Sequence, residues 1–168
     1  MGTPDSCDVA HGVVSAETGT RTLVAVFATA VADHLLRYGA DLGYHTILLE
    51  PERARVGHPG AKVITHPPAD LGDSTDVVVT DHHRAELGPV LRDVLNARPR
   101  WVGVMGNPRH AAPHIAALRG LGVDEALIES VRRPIGLNIG SRTPAEIAIA
   151  TLAGLIADRN GKPGGFEF

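Results

Sequence analysis

Apolar positions in this chain fall into two alternating kinds of run. Residues 22–28 (TLVAVFA) are continuously apolar and rich in Val, which predicts a strand buried on both faces. Residues 30–42 follow as a helix, with Val31, Leu35, Leu36 and Leu42 supplying its apolar positions. Further strands are predicted over 45–49, 62–65, 76–80 and 101–105. Helices are predicted over 84–97, 108–119, 124–131 and 144–158, with Asp124 as an N-cap. Residues 1–20 are polar and without period, so they read as a loose arm, and the Gly/Pro-rich residues 160–168 read as a fraying tail. One domain over 21–159 is expected between them.

Strands that alternate with helices through short loops predict an α/β fold: doubly wound, with a mostly parallel sheet, Rossmann-like. Such sheets bind ligands beyond the carboxyl ends of their strands. That rim would gather residues 27–31, 50–53, 80–84, 106–110 and 134–143. The last helix is apolar at almost every position from 145 to 157. A surface helix should keep a polar face. The expectation is therefore a homodimer, with Ile149, Leu152 or Ile156 near its own copy.

Composition narrows the partners. The 168 residues are 43% hydrophobic and carry a formal net charge of −3, with no Lys/Arg run. That argues against nucleic acid. No apolar stretch is long enough to span a bilayer, and the first residues lack the pattern of a secretory signal. Cys7 is the sole cysteine, which excludes an internal disulfide and a cysteine-based metal site. The expected location is the cytoplasm.

The turn after the first strand is where a dinucleotide fold needs glycines. Here Phe27 and Thr29 stand at those positions, and only Ala32 fits as the small third residue. Their side chains are expected to crowd a pyrophosphate. Glu50, at the end of the second strand, has the place of a ribose-binding acid. The stronger local signal is PIGLNIGSRTPAE over 134–146. Thr143, Pro144 and Glu146 form a capping box. Gly136 and Gly140 leave the backbone accessible, Ser141 adds a hydroxyl and Arg142 a forked donor, a combination suited to phosphate at a helix start. The competing reading is a well-capped helix with Arg142 in solvent. Asp81, His82 and His83 follow a strand, and His110 and His114 fall four apart on a predicted helix. A metal site there is disfavoured, because adjacent strand-end histidines point apart. Asp81 or His82 could instead bond a ligand at the rim. No nucleophilic triad is visible.

PIGLNIGSRTPAEIA, with WVGVMGNPRHAAPHIAALRGLG upstream, resembles the carboxyl-terminal Rossmann domain of the XdhC/CoxI family, accessory proteins of xanthine dehydrogenase and carbon monoxide dehydrogenase type molybdenum enzymes. The first motif matches over 134–148, and the resemblance extends from about residue 23 to 157. Gly103, Gly106 and Arg109 match a second motif, with Asn107 and Pro108 at variant positions. Three departures stand out: the glycine-rich turn is replaced, Asp81-His82 after Thr80 inverts the usual His-Asp order, and Asn138 stands where Asp is common. The family's amino-terminal domain has no counterpart in the sequence, so a stand-alone, divergent form of the ligand-binding half is expected.

The resemblance implies a non-catalytic accessory role in maturation of a molybdenum hydroxylase. The chain would bind a molybdopterin-type cofactor, in a cytosine-dinucleotide or simpler form, for sulfuration and insertion. A client hydroxylase and a cysteine desulfurase are the implied partners. The expected cofactor-binding residues are Glu50, Thr80, Asp81, His82, Gly106, Asn107, Arg109, Gly136, Asn138, Gly140, Ser141, Arg142 and Thr143. Two alternatives stay open: a small NAD(P)-dependent oxidoreductase with Glu50 on the ribose, which the lost glycines disfavour, and an interaction module that kept the fold without a ligand.

Overall fold

The computed structural model describes residues 6–11, 19–57 and 60–165. Much of the expected arm, and the last three residues of the tail, lie outside them. A short helix, α1 (Ser6–Ala10), falls within the arm.

Five strands form one parallel sheet: β1 (Arg21–Val26), β2 (Tyr44–Leu49), β3 (Lys62–Ile64), β4 (Thr75–Val79) and β5 (Trp101–Val104). Their order is β3-β2-β1-β4-β5, so the chain reverses direction across the sheet between β1 and β4. A crevice opens at that point in doubly wound folds. Arg132 adds a parallel bridge to Gly103, placing the chain where a sixth strand would lie.

Both faces of the sheet are covered, as the unbroken apolar strands require. Alternate residues of each strand serve opposite faces. Val24, Val26, Val77 and Val79 pack with α3 (Leu87–Asn96), α4 (Pro113–Gly120) and α5 (Glu125–Ser130). Leu23, Ala25 and Val78 pack with α2 (Ala30–Asp41) and α6 (Pro144–Arg159). The apolar character of α6 thus has an intramolecular explanation: the helix lies on the sheet with α2 beside it, and Ala148, Ala150, Leu152 and Leu155 are buried.

One predicted helix shortens. Residues 108–119 were expected to be helical, but α4 starts at Pro113. Asn107 bends the preceding segment into a turn, its Oδ1 accepting the Arg109 amide at 2.9 Å. His110 and His114 therefore do not share one helical face. His110 is exposed in the turn, whereas His114 is buried. Among the described residues, no group of three or more His, Cys, Asp or Glu side chains could hold a metal ion, and no helix is long and apolar enough to cross a membrane.

Candidate functional site

The turn after β1 forms without glycine. Phe27 takes the left-handed conformation, with φ of 74°. For a side chain this costs on the order of 1–3 kcal/mol. The surroundings hold it there: the ring is fully buried in the core, and the Arg84 guanidinium lies 4.9 Å above its centroid. The expected crowding by Phe27 does not occur, because its side chain points inward. The turn is closed by hydrogen bonds instead. Thr29 caps α2, its Oγ1 accepting the Ala32 amide at 3.0 Å. Glu50 Oε2 accepts the Ala28 amide at 2.9 Å.

Glu50 itself is fully buried. Its Oε1 accepts the Glu52 amide at 3.1 Å, and Arg84 Nη2 lies 2.9 Å from both carboxylate oxygens. Where a dinucleotide fold turns an acid toward a ribose, this acid faces inward to Arg84. Thr80 is also committed internally. Its hydroxyl accepts from Thr29 Oγ1 at 2.9 Å and lies 3.0 Å from the Val26 carbonyl, tying the ends of β1 and β4 together.

A cleft of about 880 Å³ opens beside this tie. Three loops wall it: the one after β4, the one after β5, and residues 134–141 before α6. Thr80, Asp81, His82, Gly106, Asn107, Arg109, Gly136, Asn138, Gly140 and Ser141 all line it. These ten, expected from the sequence and scattered between positions 80 and 141, are brought together by the fold. Glu50, Arg142 and Thr143 do not line it.

The start of α6 shows why Arg142 and Thr143 stand apart. The capping box forms: Thr143 Oγ1 accepts the Glu146 amide, and Glu146 Oε2 accepts the amides of Arg142 at 2.7 Å and Thr143 at 3.2 Å. Those two amides hold the Glu146 carboxyl below its ordinary range. The helix end expected to receive a phosphate already holds an anion from its own first turn, and Arg142 is exposed.

Gly136 lines the cleft and also packs against α6. Its φ is +83°, and a Cβ there would lie 3.1 Å from the Ala150 carbonyl carbon and the Thr151 nitrogen. The loop thus lies against the backbone of α6, where Leu137 donates its amide to the Ala150 carbonyl at 3.0 Å. Ile135, Leu137, Ile139, Ile147 and Met105 give the cleft an apolar portion that sequence reasoning missed. In the sequence they carry the same marks as core residues, so no separate signal was present.

The loop after β4 is shaped by Asp81, whose Oδ1 accepts the His83 amide at 2.9 Å. His82 is partly buried. Burial first, and then the neighbouring His83, push its imidazole below the ordinary value of 6.5, against a hydrogen bond to the Met105 backbone. Burial does the same to His114 beneath the next loop, with Arg133 adding to the effect. The His82 and His83 imidazoles, the Asp81 carboxylate, the Arg109 guanidinium and amide or hydroxyl groups surround a partly apolar cavity. That mixture suits a flat heterocycle with a polar edge and an attached anion.

The XdhC Rossmann domain matches residues 23–155. An uncharacterised protein of Escherichia coli K12, YqeB, is 40% identical over 65 residues, covering 39% of this chain and 12% of that protein. A solved structure described as a xanthine dehydrogenase from Bacillus halodurans superposes with a TM-score of 0.67 at 21% identity, covering 90% of this chain and 46% of that one. The chain thus spans less than half the length of either relative. The match over most of its length identifies the chain as a member of the XdhC Rossmann-domain family.

Proposed function

We propose that the chain is an accessory protein for maturation of a molybdenum hydroxylase, and that its cleft receives a molybdopterin-type cofactor. Family membership supports the client class. The observation that carries the cofactor reading is the convergence of three strand-end loops on one cleft of about 880 Å³, while at the turn used for a pyrophosphate the Ala28 and Ala32 amides are already bonded to Glu50 and Thr29. The cleft on the β4 and β5 side, about 880 Å³, is roomier than the cavity of about 300 Å³ beside Ala28, Thr29 and Leu48 on the β2 side. The cofactor supplies the metal chemistry in the client enzyme, and this chain binds and orients it.

In this reading Asn138, Ser141 and Asp81 would hold the polar edge of the pterin, Ile135 and Ile139 would supply apolar surface for it, and Arg109 would hold its phosphate. Asp81 and Asn138 offer acceptors, and Ser141 offers both a donor and an acceptor. Sulfuration by a cysteine desulfurase and transfer to the client would need no catalytic group from this chain. The cytoplasm is the proposed location, since the client and sulfur donor must meet it there.

A thermal-shift series tests the reading, because a ligand that binds only the folded state raises its stability. Molybdopterin released from a hydroxylase is expected to raise the melting temperature, and NAD and NADP are expected to leave it unchanged. A shift with NAD or NADP and none with the pterin would move the protein to the oxidoreductase reading. No shift with any of them would leave an interaction module.

A further inference from the structure

Arg133 does not line the cleft, yet it connects two of the cleft's walls. Its segment is fixed to the sheet: Arg132 donates its amide to the Val102 carbonyl at 2.9 Å and accepts the Val104 amide at 3.0 Å. From there the Arg133 side chain reaches under the loop after β5. Nη2 donates to the Asn107 carbonyl at 3.0 Å, and Nη1 donates to the His110 carbonyl at 3.2 Å. Gly106 closes over the same group, since a Cβ there would lie 2.7 Å from both Nε and Nη2. Apart from the His82 bond to the Met105 backbone at the loop's start, the loop's other side-chain and turn bonds are local. Asn107 accepts the Arg109 amide through its side chain and the His110 amide through its carbonyl. Those bonds shape the turn without attaching it to anything else.

The geometry points to Arg133 as a positioning residue: it fixes the 106–110 wall against the 134–141 wall, and glycine is needed at 106 so that the backbone can close over the guanidinium. A planar fork can span two carbonyls at once, whereas a lysine ammonium, a point charge on a flexible stem, cannot reproduce that geometry. The inference deepens the reading of the cleft as the ligand site and rests on it for its functional meaning.

Amide hydrogen exchange of the ligand-free full chain reads the attachment at Arg109 and His110. Arg133→Met is expected to speed exchange at these two amides by about tenfold or more, the loss expected of charged hydrogen bonds, with β1 and β4 unchanged. Arg133→Lys restores the charge but not the fork, so exchange stays fast. The His82 titration separates the two contributions: its midpoint rises in Arg133→Met and returns in Arg133→Lys. Should Arg133→Met fail to fold, Gly106→Ala tests the contact from the other side, because its methyl must displace the guanidinium. The same faster exchange is expected. Unchanged exchange at Arg109 and His110 in whichever of these two variants folds would overturn the inference. Neither readout uses a ligand, so failure here is distinct from failure of the pterin reading.

Discussion

Glu50 accepts the amide hydrogen of Ala28 at 2.9 Å, and this bond turns a ribose-binding position into a structural one. The carboxylate is fully buried and is compensated by Arg84 and two backbone amides. Removing one partner of such a pair leaves the other uncompensated. Glu50→Ala is expected to lower stability by about 3–5 kcal/mol in urea titration. Wild-type protein is expected to show no NAD or NADP affinity at sub-millimolar concentration. A micromolar constant from calorimetry would show that the turn opens.

His114 predicts a pH dependence. It is 3% exposed, its Nδ1 has no hydrogen-bond partner, and burial holds its folded value below 6.5. The unfolded chain therefore binds the proton more readily. Stability from this group is present above the unfolded value and is lost as pH falls through 6.5 toward the lower folded value. His114→Leu should flatten that limb of a stability profile measured from pH 7.5 to 5. A limb as steep as the wild type's would show that another group carries it.

The start of α6 gives a pair of variants with opposite expectations. Thr143→Ala removes the cap and should cost about 1 kcal/mol. Arg142→Ala should change neither stability nor ligand affinity, because the side chain is exposed and outside the cleft. Glu146 is lowered by the amides it accepts, so its contribution is present above its ordinary value and fades as pH falls below it. Chemical denaturation of both variants, with calorimetry for Arg142→Ala, checks these outcomes.

Leu152 and Ile149 separate folding from self-association. Leu152 is 3% exposed, so Leu152→Glu should cost at least about 3 kcal/mol of stability whether or not a dimer forms. Ile149 is 52% exposed and should tolerate the same change. Light scattering at tens of micromolar then tests the homodimer expected from the sequence. A dimeric wild type and a monomeric, folded Ile149→Glu would support it, and a monomeric wild type would end it.

The sheet was legible because Leu23 to Val26 in β1 and Val77 to Val79 in β4 face one helix layer or the other, which leaves unbroken apolar runs in the sequence. The capping box of α6 was legible for the same local reason, since Thr143, Pro144 and Glu146 meet within one turn. Glu50 was misread as ligand-facing because its fate depends on Arg84, a residue 34 positions away with no local mark. Arg133 was missed for a similar reason: its acceptors are backbone carbonyls, which every residue has. Gly136 and Gly106 were noticed as glycines, but the objects against which they pack, the α6 backbone and a guanidinium, are fixed only by the fold.

The most direct measurement is the pterin content of the protein purified from its native host, read as the fluorescence of the oxidised cofactor per chain. The account predicts a pterin with the wild type and a loss of about tenfold or more in Arg109→Ala, on the scale of one charged hydrogen bond to a phosphate. Wild-type protein with no pterin above the level of an unrelated control would contradict it.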